Sequence, residues 1–325
     1  MSLTRPKISI SGATGFLGSA LVTELMSANC FDVFALTRRA PVHAVAGVQY
    51  MQLGELSADT DWRPGLSGVD VVVHAAARVH VMQDTLADPL TEFRRVNVQG
   101  ALNLARQAAA AGVRRFVFIS SIKVNGEETQ LDQPFTADDE PAPLDPYGIS
   151  KMEAEQGLRK IAEETGMEVV IIRPPLVYGP GVKANFQAMM RWLARGIPLP
   201  LGAIHNHRSL VALDNLVDLI VTCIDHPAAA NQIFLVSDGE DLSTTQLLQR
   251  MGQALGKPAR LVPVPPALIK LGAALIGRPA VAQRLCGSLQ VDISKTKRLL
   301  GWTPPLSVDE GLKKAAEGYW REASV

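Results

Sequence analysis

The stretch Gly12-Ala13-Thr14-Gly15-Phe16-Leu17-Gly18 decides how the rest of the chain is read. A short run of alternating character, Lys7-Ile8-Ser9-Ile10-Ser11, precedes it, and Leu17, Leu21, Val22, Leu25 and Met26 follow at helical spacing. Strand, glycine turn and helix, in that order, build a phosphate site. Glycines let the chain turn tightly, bring backbone N–H groups against a pyrophosphate and seat the helix close to the strand, while the helix N-terminus favours negative charge. A purely structural turn uses the same three glycines, so the choice rests on what lies downstream. Ser9 and Ser11 are unusual, because a strand in this setting is ordinarily apolar throughout. Small size and local hydrogen bonding are all the sequence offers for them.

The 325 residues allow one large α/β unit or two domains, and 47% apolar against 20% charged residues describes a folded globular chain. Lys plus Arg and Asp plus Glu both count 32, leaving no net charge to attract a nucleic acid or an anionic membrane. Cys30, Cys223 and Cys286 are scattered without metal-ligand spacing, and His205 and His207 lack a third ligand, so reduced thiols and no metal are expected. The first residues lack the apolar run and cleavage site of a signal peptide, which makes the cytoplasm the expected location. The most apolar late stretch, residues 267–277, contains Lys270 and is too short to span a bilayer. A buried or interface helix is expected there, and no integral membrane segment.

Residues 31–36 read as a second strand, and cofactor choice is made at its end. An Asp or Glu there suits a ribose 2′-hydroxyl, whereas a 2′-phosphate needs a cation. Thr37, Arg38 and Arg39 stand at that point, so Arg38 favours NADP(H) over NAD(H), with a solvated arginine pair as the alternative. Residues 48–53 make a third strand, ending at Leu53-Gly54-Glu55 where an adenine could lie. Residues 69–77 (VDVVVHAAA) form an apolar run that turns small, like a buried parallel strand whose end approaches a ligand. Ala75, Ala76 and Ala77 leave room for a dinucleotide, although a tightly packed core uses alanines too. Arg78 and His80 follow at the strand mouth, facing either substrate or solvent. Asn97 and Gly100 lie early in a helix that runs to Gly112, and residues 116–119 are a strand ending in Ser120-Ser121. The polar connection 123–145 is long enough to be functional, and it ends at Asp145-Pro146, a helix start.

Tyr147 and Lys151 stand four apart, so a helix puts them on one face. A phenol is a poor base at neutral pH, its reference pKa being about 10, and a neighbouring ammonium favours the phenolate. A positive nicotinamide ring would lower it further. With Ser121 to orient a carbonyl or alcohol oxygen, the set supports proton transfer alongside hydride transfer. Residues 168–172 form another strand, and the Pro174-Pro175 corner would pass the nicotinamide. Met189, Met190, Trp192 and Leu193 follow Asn185-Phe186 as a helical stripe that reads as core. Arg208, six residues before Asp214, offers a fork suited to phosphate oxygens, or else a surface salt bridge. Residues 232–236 look like a late strand, and Ser243 with Gln246 makes a capping box.

Gly12, Gly15 and Gly18, the VVVHAAA strand, Asn97, Ser121, Tyr147 with Lys151, and Arg173-Pro174 before Val177-Tyr178-Gly179-Pro180 together resemble the extended short-chain dehydrogenase/reductase family. Its members are nucleotide-sugar epimerases, dehydratases and reductases, and the resemblance covers essentially the whole length. It implies an α/β fold: a Rossmann-type doubly wound parallel sheet over residues 1–175 and a smaller α/β substrate part over 176–325, with about 210–240 returning to the Rossmann part. It implies Tyr147 as catalytic acid/base, Lys151 as the group that holds the nicotinamide ribose, and Ser121 as the hydrogen-bond partner of the reacting oxygen. Thr14, Phe16, Leu17, Leu53, Gly54, Ala75, Ala76, Ala77, Asn97, Pro174 and Leu176 join the glycines and Arg38 as implied cofactor contacts. Arg78, His80, Ser121, Lys123 and Tyr147 are implied substrate contacts, with Asn185 and Arg208 at the diphosphate of a UDP-sugar. A homodimer through the helices that begin near Asn97 and Tyr147 is implied as well.

Departures from the family pattern narrow the reaction. The dehydratase branch carries an acidic pair after the catalytic hydroxyl residue, because removing water needs its own acid and base; here Ile122 and Lys123 stand there. Leu176 replaces an asparagine of many UDP-hexose epimerases, and Asn125 replaces the tyrosine of their Val-Tyr-Gly. Residues 120–126, 74–81 and 284–292 look like a bacterial subgroup of 4-keto sugar reductases that make UDP-N-acetylquinovosamine-type sugars for O-antigen. The expected activity is reduction at C4 of a UDP-4-keto-6-deoxyhexose. A UDP-hexose 4-epimerase acting on UDP-glucose or UDP-N-acetylglucosamine is the alternative, and a non-catalytic dinucleotide sensor or scaffold a distant third.

Overall fold

The computed structural model describes residues 5–41, 44–79 and 88–323. Its strands are β1 (Lys7–Ser11), β2 (Asp32–Thr37), β3 (Gln49–Gln52), β4 (Val71–His74), β5 (Arg115–Ile119), β6 (Glu168–Arg173), β7 (Leu176–Tyr178), β8 (Arg208–Ala212), β9 (Ile233–Leu235) and β10 (Asp241–Leu242). Seven of them form one parallel sheet in the order β3-β2-β1-β4-β5-β6-β9. The order reverses between β1 and β4, so the loops leaving these two strands diverge and open the crevice where doubly wound sheets take their ligands.

Helices cover both faces, which is why the strands read as near-continuous apolar runs. Alternate residues of one strand enter opposite cores. Ile8, Ile10, Val71 and Val73 pack on one side with Leu21 and Leu25 of the helix Phe16–Ala28 and Leu216 and Ile220 of the helix Leu213–Asp225. Phe34, Val72, Phe116 and Phe118 pack on the other with Leu104 of the helix Ala101–Ala110 and Leu158 of the helix Pro146–Thr165. Both serines of β1 find buried partners, one on the neighbouring strand and one on the turn Arg63–Gly65. Ser9 Oγ donates to the Gly65 carbonyl at 2.7 Å, and Ser11 Oγ lies 2.5 Å from His74 Nδ1 on the neighbouring strand.

A second sheet, β10-β8-β7, and a third core complete the molecule. The expected stripe on the helix Ala184–Ala194 is core at Phe186, Met190 and Leu193, while Trp192 faces outward. Tyr178 is fully buried, stacks on Phe186 and donates to Asp238, whose other oxygen accepts from the Ala212 amide and Asn215, each at 2.7 Å. The Val-Tyr-Gly-Pro motif thus ties β7 to β8 and the loop after β9. The capping box of Ser243 and Gln246 forms as expected.

One expectation is corrected, and one is narrowed to its second alternative. The helix carrying Asn97 begins earlier, at Pro89, and Asn97 lies inside a π-helical stretch, Arg94–Gly100, that re-aims side chains between two α-helical pieces. The apolar stretch 267–277 forms the helix Pro266–Leu275, which buries no residue within this chain. The connection 123–145 does not float free: Phe135 pairs with Val291, its amide donating to the Gln290 carbonyl at 2.9 Å.

Candidate active site

The loops after β1 and β4 meet at the sheet's switch point. Gly12 sits at φ +76°, and a side chain there would lie 2.7 Å from the Ala76 amide nitrogen. The small residues that end β4 therefore let the glycine turn close over it, with the Ala75 amide bonded to the Ser11 carbonyl at 3.1 Å. A Cβ on Gly18 would overlap the Gly12 carbonyl, so strand and helix approach as closely as backbones can. Gly15 is the N-cap of the helix Phe16–Ala28, and no side chain caps that terminus. Its first-turn N–H groups have no intrahelical acceptor, an arrangement that suits an anion. Gly54, at φ +87°, has open space where a side chain would stand, and the Leu53 amide is held by the Thr37 carbonyl at 3.1 Å. Arg38 is exposed at the end of β2. These residues fit a dinucleotide, with its pyrophosphate over Gly12–Gly18.

Asp145 starts the helix Pro146–Thr165: its Oδ1 accepts from the Gly148 amide at 2.6 Å, and Pro146 occupies the first turn. The helix turns Tyr147 and Lys151 to the end of β5. Lys151 Nζ donates to the Ile119 carbonyl at 2.8 Å and lies 4.5 Å from the centre of the Phe118 ring, but 5.9 Å from that of Tyr147. The Ser121 hydroxyl lies on the phenol side of Tyr147 and acts to lower its pKa. Phe93 meets the Tyr147 ring edge-on at 5.9 Å and carries the Arg78 guanidinium over its face, also at 5.9 Å.

The electrostatics differ from the expectation of a phenolate favoured by its lysine. Burial, followed by the Asp145 carboxylate, pushes the Tyr147 phenol above its ordinary pKa, and the Ser121 hydroxyl only partly offsets this. Burial also lowers Lys151 to about 7, against the Glu155 carboxylate, which favours its charge. An ammonium directed at a backbone carbonyl and an aromatic face does little for the phenol oxygen. The protein by itself therefore holds Tyr147 as an acid. His74, under the same lysine, is lowered to about 3 by burial and by Lys151, and so stays neutral.

Beneath these groups lies a network the sequence reading missed. Arg173, at the end of β6, makes a two-pronged bond to Glu155, at 2.6 and 3.0 Å, and a third bond to Asn125 at 3.0 Å. Ser120 also bonds Glu155, and Asn125 donates to the Thr136 carbonyl at 2.8 Å. All four side chains are buried. A signal was available for Glu155, which follows Lys151 by four residues and so shares its helix face. For Asn125 the sequence offers only a departure from the Val-Tyr-Gly pattern.

Asn97 reaches the strand mouth: its Oδ1 accepts from the Arg78 amide at 2.8 Å, and its Nδ2 donates to the Arg78 carbonyl and to Ser150 on the Tyr147 helix. The Pro174 carbonyl accepts from the Ile122 amide at 3.0 Å and steadies Ser121, while Leu176 is exposed. Lys123 is ion-paired with Asp145 and Glu127, so its charge is directed at the helix cap. Arg208 is half-buried and donates to the carbonyls of Arg284 and Gly287 at 3.1 and 3.0 Å; Asn185 is exposed at the start of its helix. His80 lies outside the described residues.

The profile of the NAD dependent epimerase/dehydratase family matches residues 8–237. The chain is 52% identical over 313 residues to a Vibrio cholerae protein named UDP-glucose 4-epimerase, covering 96% of this chain and 95% of that one. It is 27% identical over 323 residues to the N-acetyl-alpha-D-glucosaminyl-diphospho-ditrans,octacis-undecaprenol 4-epimerase of Escherichia coli O157:H7, covering 94% and 93%. Among solved structures, UDP-glucuronic acid 4-epimerase from Bacillus cereus, in complex with NAD, matches with a TM-score of 0.79 over 97% of this chain and 96% of that one. At 21% identity this last likeness concerns the fold alone. With a parallel sheet of this order, a glycine cradle at its switch point and a family profile spanning both, the chain belongs to the NAD dependent epimerase/dehydratase family.

Proposed function

We propose that the chain is an NAD-dependent UDP-hexose 4-epimerase. Reductase and epimerase share every catalytic group, so the site alone does not separate them, and the observation that carries the choice is the 52% identity, over nearly the whole chain, to UDP-glucose 4-epimerase. The expectation of a 4-keto reductase becomes the second reading, favoured by Asn125, which is built into the Arg173 network where the epimerase pattern has tyrosine.

NAD, when bound, supplies reversible hydride chemistry at C4. Ser121 holds the C4 oxygen beside Tyr147. Tyr147 takes the hydroxyl proton as the alcohol is oxidised and returns it to the same oxygen as the ketone is reduced. Since the protein alone favours the neutral phenol, the proton-accepting role needs positive charge brought near the ring. Lys151 holds the ribose side of the site, and Asn97 and Arg78 brace its mouth. Asn185 and Arg208 would take the diphosphate, placing the substrate side on residues 176–325 while β9 returns to the large sheet. NAD(H) is preferred because the family that the chain matches is NAD dependent, and the exposed Arg38 stands on the side of NADP(H). A homodimer through the Asn97 and Tyr147 helices belongs to the same proposal and is checked by light scattering.

The test is turnover without added cofactor. Purified protein that retains NAD(H) absorbance and interconverts UDP-glucose and UDP-galactose supports the epimerase. Protein that leaves both sugars unchanged but oxidises NADH or NADPH with a UDP-4-keto-6-deoxyhexose is a reductase.

A further inference from the structure

One surface of the molecule is explained by neither the fold nor the proposed activity. The helices Pro266–Leu275 and Pro279–Cys286 form a hairpin that rests on the third core through Ile269, Leu285 and Cys286 and turns its other face outward. Leu268, Leu271 and Leu275 recur at i, i+3 and i+7, hence on one face, and are 58%, 58% and 80% exposed. Ile276 and Val281 continue this apolar surface at the hairpin's tip, and Val262 precedes it. Six of the thirteen exposed large apolar residues among those described fall in these 20 residues, so the exposure is concentrated rather than scattered.

Charge identifies what covers it. Between residues 257 and 291 the chain carries Lys257, Arg260, Lys270, Arg278 and Arg284 and no acidic residue, although the whole protein is balanced at 32 against 32. All five cations are exposed. The acidic group near the hairpin's base is Glu128, which packs beside Gly287. A second copy docking face to face would bring two sets of these cations together. An anionic surface would neutralise them while the leucines enter an apolar layer. Ten helical residues span roughly 15 Å, too little to cross a bilayer but enough to lie in its interface, and among the described residues no helix is long and apolar enough to cross a membrane.

We propose that the hairpin formed by residues 266–286 docks the protein on an anionic lipid surface, with Leu268, Leu271, Leu275 and Ile276 inserted at the interface and Lys270, Arg278 and Arg284 set against the headgroups. The base of the hairpin is pinned to the body. Asn206 donates to the carbonyls of Leu285 and Gly287 at 3.3 and 2.7 Å, Thr244 donates to Leu285 at 2.6 Å, and Arg208 bonds the carbonyls of Arg284 and Gly287. Docking thereby fixes how Arg208 is presented to the membrane. The inference is independent of which C4 reaction the protein catalyses.

Co-sedimentation of the full chain with vesicles of phosphatidylglycerol and phosphatidylethanolamine in equal parts tests it, with phosphatidylcholine vesicles as the control. The wild type is expected to sediment with the anionic vesicles alone, and less so as salt is raised. The double variant Leu271→Glu/Leu275→Glu should bind at least about tenfold more weakly, as should Lys270→Glu/Arg278→Glu. Both pairs are exposed, so circular dichroism and turnover of a soluble UDP-sugar should stay at wild-type values. Wild type that fails to sediment with anionic vesicles, or variants that bind as well as it does, would overturn the proposal. So would a wild-type dimer that Leu271→Glu/Leu275→Glu converts to monomer with no vesicle binding by either, since a second copy would then be the occupant.

Discussion

Tyr147 and Lys151 show how burial and charge compete over a single proton. Removing both side chains from water disfavours their charged forms, raising the phenol and lowering the ammonium to about 7. Tyr147→Phe deletes the proton carrier without leaving a buried group unpaired, since Ser121 can turn its hydroxyl elsewhere. Turnover should fall by about 10²- to 10⁴-fold while thermal stability stays near wild type, measured by a coupled UDP-galactose assay and calorimetry. His74 makes a separate statement about stability. Its native pKa, about 3, lies below the ordinary 6.5, so the unfolded chain binds more protons between those values. Stability should therefore rise with pH through that window and be lost as pH falls from about 6.5, by an amount on the order of a few kcal/mol. Urea unfolding of the wild type and of His74→Asn across the window checks this, the variant being expected to show the shallower slope.

At the scale of elements, two strand ends and one helix are locked together by the pair Arg173 and Glu155. The carboxylate comes from the Tyr147 helix, the guanidinium from β6, and Ser120 and Asn125 from the chain leaving β5. Glu155→Ala leaves a buried guanidinium without its counter-charge and should cost about 3–5 kcal/mol. The lowered melting temperature should come with reduced turnover, because the same helix carries Tyr147 and Lys151. Glu155→Gln keeps a hydrogen-bonding oxygen and should lose less of both, a ranking that melting curves and initial rates read directly. The glycine turn works at this scale too. Gly12 and Ala76 are 64 residues apart in sequence, yet each has the size the other's backbone permits.

For the whole molecule, the switch point between β1 and β4 lies where the expected cofactor and catalytic residues gather. A dinucleotide bound there stabilises the native state by mass action. NADH at a hundred times its dissociation constant should add about 2.7 kcal/mol, a shift of several degrees in the melting temperature. An equal concentration of NADPH should give the smaller shift if NAD(H) is the cofactor; the reverse order would restore Arg38 to the place of a 2′-phosphate ligand.

Much of this plan was legible in the one-dimensional pattern. Continuous apolar runs mark strands buried on both faces, glycines mark a backbone contact no side chain allows, and the i, i+4 spacing of Tyr147 and Lys151 survives in any helix. These signals are local, and the chain expresses them wherever it folds. Only the tertiary structure decided which buried polar groups would find one another. Ser11 needed His74 from β4, three strands later in sequence order, Asn125 needed Arg173, and Tyr178 needed Asp238. It also decided that the apolar helix Pro266–Leu275 would stay outside the core, because burial depends on whether a complementary face exists elsewhere in the fold, and a sequence of apolar residues does not specify its partner.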